Sequence, residues 1–535
     1  MTSGHCYDVI VVGSGATGGW AAKQLTEQGL SVLLLEAGRI LDPELDYPHR
    51  PPPERRILSR LGNIFNQPVQ MRCGIYNGRN HRFFVNDRKN PYSTPFRRPF
   101  NWFRGQQVGG RLHLWSRLAF RLSDLELKPC SHDGYGVDWP LAYTDLEPYY
   151  NHVEAFLGLD GSAGGIPNLP DGLYSGEFVM TEPERSFRSA VENRFPDRQV
   201  VAARVVHHDV ERVPKTLRTA LGTGYLQIRT EAAVRRINTD PLTGNATGVT
   251  YIDRSDSTEH QVSSELVVLC ASTIESVRIL LNSACSRHPR GLGNSSGQLG
   301  LGLMDHPMIA LAGPSSGASS RFENPADPYD SGYHTGFYIP RFRNQRASQG
   351  SFLRGYAVQG GIGRGPGWYL LAHGEMLARP ENRITLHPYK TDAWGIPIVH
   401  IRCAYATNEL AMIRDAFKAL REMADAADLP IRMPPSGRWI DSLAYRLWKP
   451  LILDPSGAFV PGSAVHDHGG AAMGMDPASS VLNPYGQCWD APNVVVADGA
   501  AFPSGCSQNI TLTLMALVVR ACDNLVKEYR RGHII

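Results

Sequence analysis

Two side chains near the C-terminal end of the chain could carry proton chemistry. His466 stands in VHDHGGAAMG, ahead of a glycine-rich turn, and Asn509 in SQNITLT, where a helical pattern opens. A neutral imidazole titrates close to physiological pH, so it can take a proton and give it back. A side-chain amide beside it can hold a reacting group in one orientation. Each residue also has an ordinary explanation: Asn is favoured at helix N-caps, and a lone histidine is usually a hydrogen-bonded structural one. Context weighs against the ordinary explanation, because both flank a buried strand, 493–496 (NVVV), that runs into Ala497-Asp498-Gly499. His468, two residues on, is the alternative histidine.

These residues need elements to position them, and the start of the chain supplies the frame. Residues 7–12 (YDVIVV) are an apolar, β-branched run of strand length, closed by Gly13-Ser14-Gly15-Ala16-Thr17-Gly18. A helical segment follows, with Ala21, Ala22 and Leu25 on one face and Gly29 as its stop. Residues 31–35 (SVLLL) form a second buried strand with Glu36 at its end. Gly13 allows the tight turn, Gly15 lets backbone approach a pyrophosphate, and Gly18 lets helix and strand pack closely. The helix N-terminus offers free N–H groups and a positive dipole end to the phosphates, and Glu36 is placed to accept from ribose hydroxyls. A bare G-x-G-x-x-G is weak; strand before, helix after and acid at the right distance make a dinucleotide site the better reading. The motif alone does not separate NAD from FAD.

Length and composition set the bounds. At 535 residues the chain calls for two or more domains. With 42% apolar and 20% charged residues it reads as an ordinary globular protein. A net charge of +3 predicts no nucleic-acid surface. No apolar stretch reaches membrane-spanning length, and no signal-peptide pattern precedes the first strand. The nine cysteines are scattered, with no C-x-x-C. They read as free thiols in a reducing compartment, with no metal site, so the expected location is the cytoplasm.

Further along, 42–100 is rich in proline, arginine and aromatics and reads as a long, packed excursion. Val108-Gly109-Gly110-Arg111-Leu112-His113-Leu114-Trp115 is a second glycine turn. Strands are expected at 225–229, 232–237 and 249–253. A buried strand at 265–271 then leads into a helix at 274–281. This is what a doubly wound sheet with an inserted β-meander would give. Between 310 and 454 the spacing predicts strands at 334–343, 351–359, 369–375 and 382–386, then a helix at 408–427. The last helix is expected over 514–528. The fold class is therefore α/β: a discontinuous, doubly wound, Rossmann-like dinucleotide domain, with a second α+β domain carrying a mixed, mainly antiparallel sheet.

The N-terminal GSGATGG…LLLEAG, then RGQQVGGRLHLW, LVVLCASTIESVRILLNS, GNSSGQLGLGLMDHP and HDHGGAAMG…NVVVADGAAFP…QNITLTLMAL together resemble the glucose–methanol–choline (GMC) oxidoreductases, nearly end to end. The resemblance implies an FAD enzyme that oxidises alcohols, and it matches His466 to the family's active-site histidine and Asn509 to its partner. A His–Asn pair, with VGG shortly before Trp115, is most similar to the pyranose-oxidase-like, glycoside-oxidising branch. Gly470 stands where the family has Thr, and Ile510 where it has Pro. The branch's flavin-carrying histidine aligns with Leu114, and His113 lies one position early, so non-covalent FAD is expected. The implied cofactor contacts are Gly13, Ser14, Gly15, Ala16, Thr17, Gly18, Glu36, Val108, Gly109, Gly110, His113, Val234, Ala271, Asp498, Gly499 and Thr511. The implied substrate contacts are Gln359 and Ala464.

The chemistry that follows is removal of a hydroxyl proton by His466, with Asn509 holding the hydroxyl, and hydride transfer from the carbinol carbon to flavin N5. The dipole of the last helix would face the pyrimidine end of the flavin and stabilise the charge of reduction. Residues 1–45, 104–310 and 455–535 are expected to form the FAD-binding domain, 46–103 an excursion or lid, and 311–454 the substrate domain. The latter mixes Tyr333, His334, Tyr338, Arg341, Arg354, Tyr356, Gln359, Trp368 and His373, which would suit a sugar or glycoside. A non-sugar alcohol such as a natural-product intermediate is the alternative substrate, and a catalytically inactive flavin scaffold the alternative class. The electron acceptor is expected to be external: dioxygen, a quinone or a partner protein.

Overall fold

The computed structural model describes residues 7–42, 46, 63–77, 80–206, 213–314, 335–346, 350–364, 367–431 and 449–534. Its centre is a parallel sheet. The β-branched run Tyr7–Val12 pairs on one side with Val32–Leu35 and on the other with Glu259–Leu269, both in parallel. Leu226–Arg229 and Ala491–Val496 extend the two edges, again in parallel. Every residue from Val9 to Val12 and from Val32 to Leu35 is buried, as a strand covered on both faces must be.

The strand Glu259–Leu269 joins two structures. Its largely exposed first part, EHQVS, pairs antiparallel with Ala246–Asp253, which pairs in turn with Ala232–Thr239. Its buried second half, LVVL, lies beside Val9–Val12. This is the expected meander, entered six residues earlier than the apolar run at 265–271 marks, because polar residues lead the strand. Helix Ala16–Glu27 packs against the final helix, Thr511–Arg530, and against Lys215–Gly222.

A second sheet is antiparallel throughout: Met308–Pro314, Gly367–Gly374, Tyr356–Ile362, Phe337–Ile339 and, from earlier in the chain, Val201–Ala202. Strand alternation gives it two different faces. Ile309, Leu311, Phe337, Ile339, Val358, Leu370 and Ala372 enter a core with helix Thr407–Ala426, through Met412, Ala416 and Leu420. The residues of opposite parity face the first sheet's glycine turns across a cavity. The hairpin Arg383–Thr391/Pro397–Arg402 packs instead on helix Thr273–Asn282 and contributes Ile384, Val399 and Ile401 to the first core.

Several elements differ from expectation. The strand at 351–359 begins only at Tyr356, because Arg354 adopts a left-handed φ of 67° that breaks the extended run. The strand at 334–343 shortens to Phe337–Ile339, and its first residue, His334, lies outside the described residues, as does Tyr333. The strand Pro397–Arg402 was not anticipated. In the 42–100 stretch, residues 43–45, 47–62 and 78–79 lie outside the described residues. Among its described residues Phe83 and Phe100, with the following Trp102 and Phe103, are buried, while Phe65 and Phe96 are exposed. Among the described residues no helix is long and apolar enough to cross a membrane, no cluster is placed to hold a metal, and the cysteines are free.

Candidate active site

A cavity of about 1000 Å³ runs from Glu36, past the glycine turn, to His466 and Asn509. Its first end is held by backbone. Gly13 has φ 93°, and a Cβ there would lie 2.5 Å from the Cys270 carbonyl oxygen. A Cβ on Gly18 would lie 1.8 Å from the Gly13 oxygen. Ser14 links the pieces: its hydroxyl accepts from the Gly109 N–H at 3.0 Å and donates to Glu36 at 2.5 Å. Glu36 also accepts from the N–H groups of Ser14 and Gly38, at 3.0 and 2.8 Å. Burial raises the Glu36 carboxyl pKa, while those hydrogen bonds pull it back down.

Gly15 differs from its neighbours. Its φ of −68° is open to every residue, and a Cβ there would meet nothing within 4 Å. No protein atom requires a glycine at 15, yet the residue lies on the cavity wall. The helix it opens has no side-chain cap and no acid in its first turn, so its N–H groups and dipole face the same space. This is a cradle for an anionic group lying against the backbone.

The other end is held by side chains. His466 lies on a loop whose N–H groups at Gly462, Ala464 and His466 all donate to the buried Asp305 carboxylate, at 2.7, 3.2 and 3.2 Å. Arg111, from the second glycine turn, donates to the Val465 carbonyl at 3.1 Å, to Asp467 at 2.9 Å and to the Ser272 hydroxyl at 2.8 Å. Between these clamps Val465 sits at φ 62°. A β-branched residue in the left-handed region is strained and persists only where its surroundings over-determine it.

Four histidine rings gather here. His306 lies 5.0 Å from His466 and 5.2 Å from His373, centroid to centroid, with His468 at 5.9 Å. Burial holds His466 and His306 well below the usual histidine range, helped by their neighbouring imidazoles and, for His466, by the Arg111 charge. Burial also takes His373 and His468 down to about 4. At neutral pH His466 is therefore an uncharged imidazole, half-buried and open to the cavity. Burial, reinforced by the Asp467 charge, pushes Asp305 up to about 7.

Family models described as GMC oxidoreductase match residues 205–308 and 378–517. The chain is 26% identical to 2-methyl-1,2-propanediol dehydrogenase of Mycolicibacterium austroafricanum, over 99% of this chain and 96% of that one. It is likewise 26% identical to the fructose dehydrogenase large subunit of Gluconobacter japonicus, over 98% of each. Among solved structures, a formate oxidase of Aspergillus oryzae studied for its FAD modification superposes with a TM-score of 0.68 at 14% identity, covering 99% of this chain and 100% of that one. The chain belongs to the GMC oxidoreductase family. It is thus an FAD-dependent enzyme that oxidises alcohol groups.

The residues of this GMC oxidoreductase fit FAD on their own terms. The space left by Gly15 and the uncapped helix behind it suit a pyrophosphate, and the cavity is long enough to continue past the second glycine turn. Of the sequence-derived contacts, residues 13–17, Glu36, Gly110, Val234, Ala271, Asp498, Gly499 and Thr511 line the cavity. Gly18, Val108 and Gly109 stand behind that wall. His113 is turned away: it is buried, with Nε2 2.8 Å from the Val108 carbonyl. Asp498 is occupied by the Ser276 hydroxyl and the Ala500 N–H, and burial raises it to about 6.

At the catalytic end His466, Asn509, Ala464, Gln359 and His373 all line the cavity, and Trp368 lines it five residues from His373 along the same strand. Asn509 is not a helix cap, since the helix begins at Thr511 with Ile510 at the N-cap, and its Oδ1 is buried without a partner. His468 does not reach the cavity; it is fully buried and its Nδ1 donates to the His466 carbonyl at 2.6 Å. Parity disposes of other candidates. Tyr356 points into the second core and donates to Asp415. Tyr338 stacks on Phe120. Arg341 and Arg354 are buried around Glu375, off the cavity. Sequence reading missed Arg111 and Asp305, whose work is visible only once distant segments meet. The one signal was an acid and a histidine (DH) ending the otherwise apolar, glycine-rich run GQLGLGLM.

Proposed function

We propose that the enzyme oxidises a secondary hydroxyl of a neutral sugar or glycoside, with His466 as general base and Asn509 as the group that orients the hydroxyl. The observation that carries this reading is that an imidazole held neutral by burial and the side-chain amide of Asn509, whose oxygen has no protein partner, line the same cavity. Bound FAD supplies the two-electron oxidant that takes the carbinol hydride. The chain's own residues do the rest. The hydroxyl proton passes to the free nitrogen of His466, and the Asn509 side-chain amide, donating an N–H to the hydroxyl oxygen, fixes the direction of the O–H, worth about one to two orders of magnitude in rate. The uncapped start of helix Thr511–Arg530, which has no acid in its first turn, directs positive potential into this end of the cavity.

The substrate face of the second sheet supports a neutral ligand. Met308, Ala310, Ala312, Gln359, Tyr369, Leu371 and His373 line it, with no charged side chain among them. Gln359 brings a buried amide oxygen without a partner, a ready acceptor for a second hydroxyl. The fructose dehydrogenase relative favours a sugar. The small apolar residues Ala310 and Ala312 favour a second reading, a branched, non-sugar alcohol of the kind the propanediol dehydrogenase relative takes. Since His113 is engaged by Val108, FAD would be held without a covalent bond at that residue. We further read the residues up to 45, 104–310 and 455–535 as the cofactor-binding unit and 311–454 as its substrate cover.

The test is anaerobic bleaching of the flavin by a panel of sugars, glycosides and simple alcohols. A sugar or glycoside is expected to bleach it; bleaching only by branched diols would move the substrate to the second reading. Re-oxidation by air would identify dioxygen as acceptor, and its failure would point to a quinone or a partner protein. His466→Ala should keep its flavin and lose 10²- to 10⁴-fold in turnover, roughly what a general base contributes. Undiminished turnover would sink the assignment of the base.

A further inference from the structure

Asp305 and His306 close the run GQLGLGLMDH, immediately before strand Met308–Pro314. Both are almost fully buried, and neither lines the cavity. Adjacent in sequence, they address two different parts of His466. Asp305 accepts the His466 N–H and those of Gly462 and Ala464, which fixes the backbone of the loop. The His306 ring meets the His466 ring edge-on, with 5.0 Å between centroids and 88° between planes.

The tautomer of His306 follows from its neighbour. Nδ1 lies 3.1 Å from the Gly374 carbonyl, which only accepts, so Nδ1 carries the hydrogen and Nε2 is a lone pair. That Nε2 is buried without a partner, and so is Nδ1 of His466. His468 is fixed in the same sense, because its Nδ1 donates to the His466 carbonyl. The described groups around the inner edge of His466 are therefore short of donors, and Nδ1–H of His466 is the donor that answers them.

We propose that His306 is a positioning residue. Its Nε2 is the acceptor for Nδ1–H of His466, reached through one buried water or a small rotation of the ring. This leaves Nε2 of His466 bare toward the substrate, while Asp305 sets the loop that carries it. In the proton step the substrate O–H bond breaks and an N–H bond forms at Nε2 of His466. Nδ1 keeps its hydrogen, and the charge of the resulting imidazolium is shared with the His306 lone pair. His306 thus does for this base what a carboxylate does for the histidine of a catalytic triad: it selects the tautomer and steadies the cation. The inference rests on His466 being the base, as proposed above.

The experiment compares His306→Leu, which removes the acceptor, with His306→Gln, which returns one as an amide oxygen. It is run on FAD-loaded enzyme with an alcohol found by the bleaching panel. His306→Leu should lose about 10²-fold in kcat with KM and flavin content little changed, and His306→Gln should recover most of it. The acid limb of kcat/KM should move to lower pH in His306→Leu, since the His466 cation loses its acceptor. The other groups facing His466 are the His373 and His468 rings, Arg111, and the Asp305 and Asp467 carboxylates, all present in both variants. Two-bond 1H–15N spectra of the cofactor-free protein give a readout independent of turnover. With His466 assigned by its loss in His466→Ala, the wild type should show the Nδ1–H tautomer and His306→Leu a mixture. An Nε2–H tautomer in the wild type would overturn the proposal. So would equal losses of turnover and of melting temperature in the Leu and Gln variants. Full turnover in His466→Ala would instead remove the base itself, a failure of the reading underneath.

Discussion

At the dinucleotide end of the cavity, residues 13–18 hold their shape through close backbone packing, Gly13 against the Cys270 carbonyl and Gly18 against the Gly13 carbonyl, with Ser14 and Glu36 adding side-chain ties. At the catalytic end, residues 462–467 hold theirs through side chains from elsewhere, Asp305 beneath and Arg111 across. Gly13 and Gly18 are glycine because the backbone packed against them leaves no room for a Cβ; a strained valine occupies the second site because its surroundings force it there. The first design carries its motif in one short segment, although Cys270 and Gly109 close it from elsewhere in the chain, and it is reusable for any dinucleotide. The second draws on residues some 160 and 350 positions away in the chain and serves one reaction.

The largest expected effects test the first half of that contrast. Gly18→Ala places a Cβ 1.8 Å from backbone oxygen, and backbone has no cheap way to yield; a loss of about 4 kcal/mol or more is expected by thermal or denaturant unfolding. Gly15→Ala, three residues earlier, meets nothing within 4 Å. It should unfold within about 1 kcal/mol of the wild type without cofactor, the range of an N-cap change, yet bind FAD at least tenfold more weakly by flavin titration. Equal destabilisation by the two substitutions would mean that Gly15 serves the fold and not a ligand.

That contrast also explains what the sequence disclosed. The strand, glycine turn, helix and acid from Tyr7 to Glu36 were legible because their residue types and spacing fall within thirty positions, even though Cys270 and Gly109 complete the turn from elsewhere. So was the meander, whose apolar and polar halves alternate as strands do. His466 and Asn509 were legible as residue types in context, but what fixes them was not. Arg111 lay inside a quoted motif and read as part of a glycine turn; its bonds to Val465, Asp467 and Ser272 exist only in three dimensions. Gln359 was expected to touch substrate, with Tyr356 in the same mixed set; three positions apart on one strand they face opposite sides, and the structure puts Gln359 on the cavity and Tyr356 in the core. Residues 351–355 seemed to continue that strand, but the left-handed Arg354 ends that register.

An intermediate effect probes the charge side of the catalytic end. Burial takes His373 to about 4, against roughly 6.5 in an unfolded chain. Between those values the unfolded state binds a proton that the folded state does not. Stability from this residue is complete above pH 6.5 and is lost as pH falls toward 4. Raised carboxyls such as Asp305 and Asp498 oppose this trend, so the wild-type profile alone does not isolate it. The difference between His373→Gln and wild type does. Measured by denaturant unfolding, it should shift in favour of the variant by about 1.4 kcal/mol per pH unit from pH 6 to 4.5. A pH-independent difference would show His373 to be protonated in the fold, or accessible to water.

The smallest effect in stability tests the second half of the contrast directly. If residues 462–467 are held by Asp305 and Arg111, the strain at Val465 is imposed, and removing it should cost the fold little. Val465→Gly relieves about 1–3 kcal/mol of left-handed strain. It gives up a comparable amount in glycine's chain entropy and in the packing of Val465 beside Cys73, Phe84 and Phe103. Unfolding free energy should therefore change by less than about 1 kcal/mol. Turnover should not be spared in the same way. His466 follows Val465 directly, and a glycine lets the peptide between them rotate, so kcat should fall several-fold while flavin content stays constant. A large loss of stability with unaltered kcat would assign Val465 to the apolar cluster around Cys73. The geometry of the base would then rest on the Asp305 and Arg111 hydrogen bonds alone.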